Sequence, residues 1–134
     1  MRRKLIEQVV DKACMLVTIT GSATSAVMSS AIDREGYLSA RVVIQGKATA
    51  GDTAIITITV YDSTDGTGTY TIYDSANATT TYNVTSSVTS KGFDVDLAGA
   101  DRYIKIYATP ASAVCTTTFT AVCILGDAVT EPAV

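Results

Sequence analysis

Apolar and polar residues alternate along most of the chain between residues 37 and 125. A period of two places successive side chains on opposite faces of a β-strand. The run at residues 37–45 (YLSARVVIQ) places Arg41 on one face, together with Tyr37, Val43 and Gln45. Its other face carries the apolar side chains Leu38, Ala40, Val42 and Ile44. The pattern therefore predicts a strand with one buried face.

Later runs repeat this alternation. Their predicted inward rows are Ile56, Ile58 and Val60; Phe93, Val95 and Leu97; and Ile104 and Ile106. The outward positions beside these rows are Thr57, Thr59 and Tyr61; Asp94 and Asp96; and Tyr103, Lys105 and Tyr107. Weaker strands are predicted at residues 69–73 and 79–84, and a last strand at residues 115–125. Pro110 is expected to end one strand and Gly126 to close the last, because proline cannot donate to a strand ladder and glycine favours turns.

Roughly seven or eight such strands, separated by turn residues, are typical of an all-β, antiparallel β-sandwich or jelly roll. The turn signals include residues 62–66 (DSTDG). With 134 residues, the chain is most simply one domain. We expect an N-terminal arm and linker at residues 1–30, a β-sandwich at 31–126 and a C-terminal tail at 127–134.

The N-terminal arm has two interpretations. Residues 2–15 have the apolar spacing of a short amphipathic helix, but residues 15–20 (MLVTIT) have the pattern of a strand. The alternative is therefore one extended arm throughout. Residues 21–30 are small and polar, which is typical of a linker or adaptable loop.

Charge and composition narrow the function classes. Charged residues make up 17% of the chain and the formal net charge is −3, which argues against nucleic acid as the main partner. Arg2, Arg3 and Lys4 form a basic start that either contacts an acidic partner or is a solvated end. Charged residues soon interrupt the apolar run that follows, so neither a standard export signal nor a membrane helix is predicted.

The three cysteines, Cys14, Cys115 and Cys123, do not make a paired disulfide framework. Cys115 and Cys123 are eight residues apart, which on one straight strand is beyond bonding reach. We expect buried, reduced thiols, consistent with a reducing cytoplasm. No pair has the spacing of a zinc site, and no cofactor or metal is predicted.

The residues that catalysis needs are scarce. The chain has no histidine, which excludes Ser-His-Asp and Cys-His arrangements. Asp94 and Asp96 share a strand face at about 7 Å, within the range of glycosidase pairs, but polar surface aspartates are the simpler interpretation. Asp62 and Asp65 suggest either a calcium site or a capped turn. We predict that the protein is not an enzyme.

Six tyrosines suggest either a sugar-binding platform or cross-strand packing and interfaces. They are Tyr61, Tyr70, Tyr73, Tyr82, Tyr103 and Tyr107.

Several segments in this order carry a resemblance to a known family. They are residues 31–33 (AID), 36–37 (GY), 62–66 (DSTDG), 95–100 (VDLAGA), 102–106 (RYIKI) and 124–126 (ILG). Together they resemble the capsid decoration proteins, also called cement or auxiliary head proteins, of tailed bacteriophages. The resemblance covers residues 31 to the C-terminus and rests on structural motifs.

The resemblance implies a jelly-roll protein that binds the exterior of an icosahedral capsid, often as a homotrimer, and bridges neighbouring subunits of the major capsid protein. It would be made in the host cytoplasm and reside in the virion, without nucleic-acid or membrane partners. The arm would then contact the capsid or a neighbour through Arg2, Arg3, Lys4, Leu5, Ile6 and Val9. Two alternatives stay open: a receptor- or carbohydrate-binding module of a phage fibre or tail, and a head–tail joining or tail-tube protein.

Overall fold

The computed structural model describes residues 10–19, 26–48, 54–113 and 117–128. These residues form ten β-strands and contain no helix. The strands are β1 (Val10–Ile19), β2 (Val27–Met28), β3 (Ile32–Asp33), β4 (Tyr37–Ala48), β5 (Ala54–Ser63), β6 (Thr71–Ile72), β7 (Thr79–Val84), β8 (Thr89–Asp96), β9 (Tyr103–Ala113) and β10 (Thr117–Ala128).

The strands form two antiparallel sheets. Sheet A has the order β1-β10-β4-β8. In sheet B the long strands β5 and β9 pair at the centre. The short strands β2 and β3 both pair with β9 on one side, whereas β6 and β7 both pair with β5 on the other. The predicted all-β, antiparallel sandwich is confirmed.

The core lies between the sheets and consists of the predicted inward rows. From β4 and β5 these rows supply Val42, Ile44, Ile56, Ile58 and Val60, all fully buried. Val95, Leu97, Ile104 and Ile106 complete the predicted set, and Phe93 packs against it half-buried. Leu38, near the start of β4, stays 40% exposed although it belongs to the same predicted inward row.

Two close contacts stabilise the sandwich, one within sheet A and one between the sheets. Gly46 on β4 lies against Phe119 on β10, and a Cβ atom at Gly46 would come within 2.6 Å of the Phe119 Cβ. Only glycine allows this approach of the two strands. From sheet B, the buried Tyr82 donates its hydroxyl to the Thr89 carbonyl of sheet A at 2.5 Å. The tyrosine thus joins the two layers through a partly buried hydrogen bond.

The N-terminal segment differs from the helical prediction. Residues 10–15 belong to β1, which pairs along its length with β10, so the helix is wrong there and the extended alternative is confirmed for these residues. Pairing with β1 gives hydrogen-bond partners to the backbone along one side of β10. A helix in the same place would leave that side of β10 unpaired. The predicted linker also contains β2, which pairs with β9. Arg2, Arg3, Lys4, Leu5, Ile6 and Val9 lie outside the described residues.

Two predicted strand ends are also wrong. Strand β9 continues past Pro110 to Ala113, and a register shift opposite Ile55 and Ile56 of β5 leaves a bulge directly after the proline. A bulge removes the demand for the missing N–H. Strand β10 continues past Gly126 to Ala128, where it still pairs with the start of β4.

Cys123 is buried in the core, as predicted. Cys14 lies on β1 at an irregularity in its pairing, and Cys115 lies outside the described residues. Within the part of the chain that the structure describes, no helix has the length and apolar character to cross a membrane.

Candidate functional site: a tyrosine face on sheet B

The outer face of sheet B gathers aromatic and exposed apolar side chains. We call this surface the tyrosine face. Cross-strand partners share one face of a sheet, and the register pairs Met28 with Tyr107 and Ile72 with Tyr61. Met28 and Ile72 are 48% and 49% exposed, well above the ordinary exposure of large apolar residues in a sheet. The members of the tyrosine face are Met28, Tyr61, Tyr70, Ile72, Tyr103, Lys105 and Tyr107.

Two tyrosines stack at its centre. The ring centroids of Tyr61 on β5 and Tyr107 on β9 are 4.0 Å apart, and the ring planes differ by 23°. Both side chains are half-buried. They point outward because they alternate with the buried Val60 and Ile106. The stack fixes both rings in place, so a ligand that contacts them meets a rigid surface and orders little on binding.

Lys105 lies beside this stack. Its ammonium nitrogen is 4.4 Å from the centre of the Tyr70 ring, within the range of a cation–π interaction. The Tyr70 hydroxyl donates to the Gly66 carbonyl at 3.1 Å, which holds the ring over the lysine. Desolvation raises the pKa of Tyr70, and Asp65 adds to the effect because its negative charge opposes the phenolate.

Tyr103 forms one end of the tyrosine face under the loop that follows β5. A Cβ atom at Gly66 would lie 3.2 Å from the Tyr103 ring, so the loop backbone rests on the ring face. The Arg102 guanidinium lies 5.2 Å from the ring centroid. Arg102 is held in turn by Asp33 and Glu35, each at 2.8 Å. The hydrogen bond that Arg102 donates to Asp33 is the main cause that raises the pKa of Arg102.

The loop carboxylates cap the backbone and do not converge. Asp65 accepts the N–H and the hydroxyl of Thr67, both at 2.9 Å, which lowers the pKa of Asp65. Asp62 is buried and accepts the N–H of Asp101 at 2.9 Å. Among the residues that the structure describes, no group of three or more His, Cys, Asp or Glu is placed to hold a metal ion. The contacts of Asp65 agree with a capped turn, whereas Asp62 accepts from Asp101, which is distant along the chain.

Two of the six tyrosines considered from sequence are not part of the tyrosine face. Tyr82 is 2% exposed and its hydroxyl bonds across to sheet A. Tyr73 packs against the core and accepts the N–H of Gly99 at 3.3 Å. The structure thus divides the tyrosines into four that form a surface and two that hold the fold. Met28 and Ile72 were missed from sequence, because only the strand register places them beside Tyr107 and Tyr61.

Asp94 and Asp96 lie on the edge strand of sheet A, away from the tyrosine face. Both are exposed. Asp94 is paired with Arg41 at 2.7 Å, and Asp96 accepts the N–H of Ala98 at 2.9 Å. Asp94 borders two adjoining cavities of about 360 and 460 Å³, and Asp96 borders the larger one. Their contacts are those of surface aspartates that pair with a cation or cap a turn.

Comparisons with known proteins identify the fold and not the family. No family model matches the chain, and no curated protein matches it. A CBM4 carbohydrate-binding module is 14% identical, with a TM-score of 0.60 over 87% of this chain and 78% of that one. The N-terminal cellulose-binding domain of Cellulomonas fimi β-1,4-glucanase C is 10% identical, with a TM-score of 0.57 over 93% and 91%.

A phage protein is also among the structural neighbours. The enzymatically active domain of tailspike protein 4 from bacteriophage CBA120 is 13% identical, with a TM-score of 0.51 over 90% of this chain. This chain spans only 20% of that tailspike chain. At these identities the three likenesses show a shared β-sandwich fold. They do not show the capsid decoration family that the sequence resembles.

Proposed function

We propose that this chain is a carbohydrate-binding β-sandwich module that holds its ligand on the tyrosine face. The observation that carries the proposal is the stacked pair Tyr61–Tyr107, outward on the central strands of sheet B. A sugar ring has apolar C–H surfaces bordered by hydroxyls. An exposed aromatic surface edged with polar groups complements both parts of such a ring.

Polar groups lie where such a ligand would meet the rim. Next to the stack, the Thr59 and Thr79 hydroxyls are 3.3 Å apart and half-buried. A hydroxyl both donates and accepts, so this pair suits the hydroxyls of a sugar. Lys105 adds three N–H donors from the other side. The similarity of the fold to a CBM4 module and to a cellulose-binding domain supports the same class of ligand.

The test is binding of the purified protein to soluble polysaccharides by affinity electrophoresis and calorimetry. Replacing both Tyr61 and Tyr107 with alanine should weaken binding at least tenfold, because central aromatic side chains usually dominate a binding surface. Tyr61→Phe keeps the ring and should retain most of the affinity. Val122→Ala is the matched control, since it trims an outward side chain on sheet A.

Binding of the double alanine variant at wild-type strength would refute the proposal, provided that circular dichroism shows both proteins folded. Failure of the wild-type protein to bind any polysaccharide in a broad panel would refute it as well.

Capsid decoration is the second candidate, and the outer face of sheet A favours it. There Val43 and Val122 are cross-strand partners and only half-buried, and Ile124 lies beside them opposite Arg41. An apolar outward patch on a sandwich is a common feature of an interface. In this proposal a non-enzymatic homotrimer bridges major capsid subunits on the virion exterior, with many weak contacts acting together.

This second candidate has its own test. Mass photometry of the purified protein, alone and mixed with expanded empty capsids of its source, should give a discrete trimer that saturates the capsids and raises their melting temperature. A monomer that leaves capsids unchanged would eliminate capsid decoration. The same sample can be assayed for glycan binding, so the two proposals are tested independently.

A further inference from the structure

Lys105 is the cation in the middle of the tyrosine face. Strand β9 places it between the outward Tyr103 and Tyr107, and the register places it opposite Tyr61 on β5. It is half-buried, and the Tyr70 ring lies 4.4 Å from its ammonium nitrogen. A cation in this position lies directly beside the stacked pair that is proposed to hold a sugar.

The charge of Lys105 is not neutralised within the described part of the chain. The ion pairs there join Arg41 to Asp94 and Arg102 to Asp33 and Glu35, and none of them includes Lys105. Arg102 is by contrast already occupied by two carboxylates. Asp65, near Tyr70, directs one carboxylate oxygen to Thr67. The ammonium group of Lys105 is therefore the one positive charge that the tyrosine face offers to a ligand.

We propose that the tyrosine face selects a polysaccharide containing uronic acid, whose carboxylate pairs with the Lys105 ammonium while its ring contacts Tyr61 and Tyr107. This inference rests on the proposed carbohydrate-binding function and adds the ligand class. A half-buried cation favours an anionic partner more than a fully solvated one does, because its charge is less screened.

A single ammonium group suits a polysaccharide whose negative charges are widely spaced. Densely sulfated chains are bound by runs of several basic residues, whereas this face has one unpaired cation beside aromatic rings. The formal net charge of −3 also opposes long-range attraction of a polyanion. Recognition of the carboxylate is therefore local and operates within about one screening length, roughly 8 Å at physiological salt.

The experiment compares polygalacturonate, a neutral glucan and dextran sulfate as ligands by calorimetry and affinity electrophoresis at low and high salt. Lys105→Met removes the charge and keeps an unbranched apolar stem against the tyrosines. Lys105→Arg restores the charge. Lys47→Met is the matched control, because it removes one exposed lysine from sheet A.

We expect the wild type and Lys105→Arg to prefer polygalacturonate over both other ligands. Lys105→Met should lose about three- to tenfold in affinity for polygalacturonate at low salt and should lose less affinity for the neutral glucan, which gains only hydrogen bonds from the lysine. Lys47→Met should behave as the wild type. Salt should weaken only the interaction that depends on Lys105.

The outcomes separate this inference from the function on which it rests. If the wild type binds neutral glucan as tightly as polygalacturonate, or if Lys105→Met keeps the preference, the inference is wrong and carbohydrate binding stands. A preference for dextran sulfate that survives in Lys105→Met would also overturn it. If no polysaccharide binds the wild type, the proposed function fails first.

Discussion

The two sheets present the same kind of inner face and quite different outer faces. Inside, both sheets contribute buried aliphatic rows, such as Val42 and Ile44 from sheet A and Ile56 and Ile58 from sheet B. Outside, sheet B carries stacked tyrosines and an unpaired lysine. Sheet A carries half-buried valines and the Arg41–Asp94 ion pair at 2.7 Å. The inner faces specify the sandwich, and the outer faces leave each sheet free to carry a different function.

The difference between the outer faces also affects rigidity. On sheet B the rings are fixed by contacts to one another, to Lys105 and to the loop at Gly66. On sheet A the ion pair joins side chains that are 51% and 73% exposed, and such pairs contribute little to stability. A surface whose side chains are already held in one geometry binds a ligand at a smaller entropic cost. Sheet B is therefore the better prepared binding surface.

The largest expected effect on stability comes from a substitution in the core, because the core is shared by both sheets. Phe119 is 1% exposed and packs in the core next to Gly46, so Phe119→Ala leaves a cavity between the sheets. We expect a loss of about 3–5 kcal/mol in the free energy of unfolding, measured by chemical denaturation. Thr120→Ala on the outer face should change it by no more than about 0.5 kcal/mol. A loss below about 1 kcal/mol for Phe119→Ala would contradict the packing described here.

The inner faces could be predicted from sequence because strand alternation is a local property. Once one buried residue of a strand is known, every second residue along that strand is expected on the same face, as Ile56 and Ile58 are. The same rule places Tyr82 on the face of the buried Val84, which agrees with the packing alternative for this tyrosine. Leu38 shows the limit of the rule, since it belongs to the inward row of β4 and is nevertheless 40% exposed.

The tyrosine face could be predicted only in part. Alternation places Tyr61, Tyr103 and Tyr107 outward, and no local signal tells that two of them stack. Stacking depends on the register between β5 and β9, which distant contacts determine. The arrangement of Tyr70 over Lys105 depends on how the loop at Gly66 folds back. Long-range register and loop closure are the parts that a single sequence does not specify.

An intermediate effect should distinguish the two kinds of tyrosine. Tyr82→Phe removes the buried hydroxyl that bonds to the Thr89 carbonyl at 2.5 Å and leaves that acceptor without its partner. We expect a loss of about 1–2 kcal/mol in unfolding free energy and unchanged ligand binding. Tyr61→Phe should leave stability within about 0.5 kcal/mol of the wild type. Equal stability losses in the two variants would remove the distinction between fold-holding and surface tyrosines.

The smallest expected effect is a pH dependence on the tyrosine face. Desolvation and the charge of Asp65 raise the pKa of Tyr70 in the folded protein above its ordinary value of 10.0. The neutral phenol is therefore favoured by folding, and its contribution is fully present below pH 10 and is lost as the pH rises through the folded pKa. Melting temperatures measured between pH 8 and 12 should fall less steeply above pH 10 in Tyr70→Phe than in the wild type. Parallel curves for the two proteins would show that the loop does not shield the Tyr70 hydroxyl, and the arrangement over Lys105 would then lose its support.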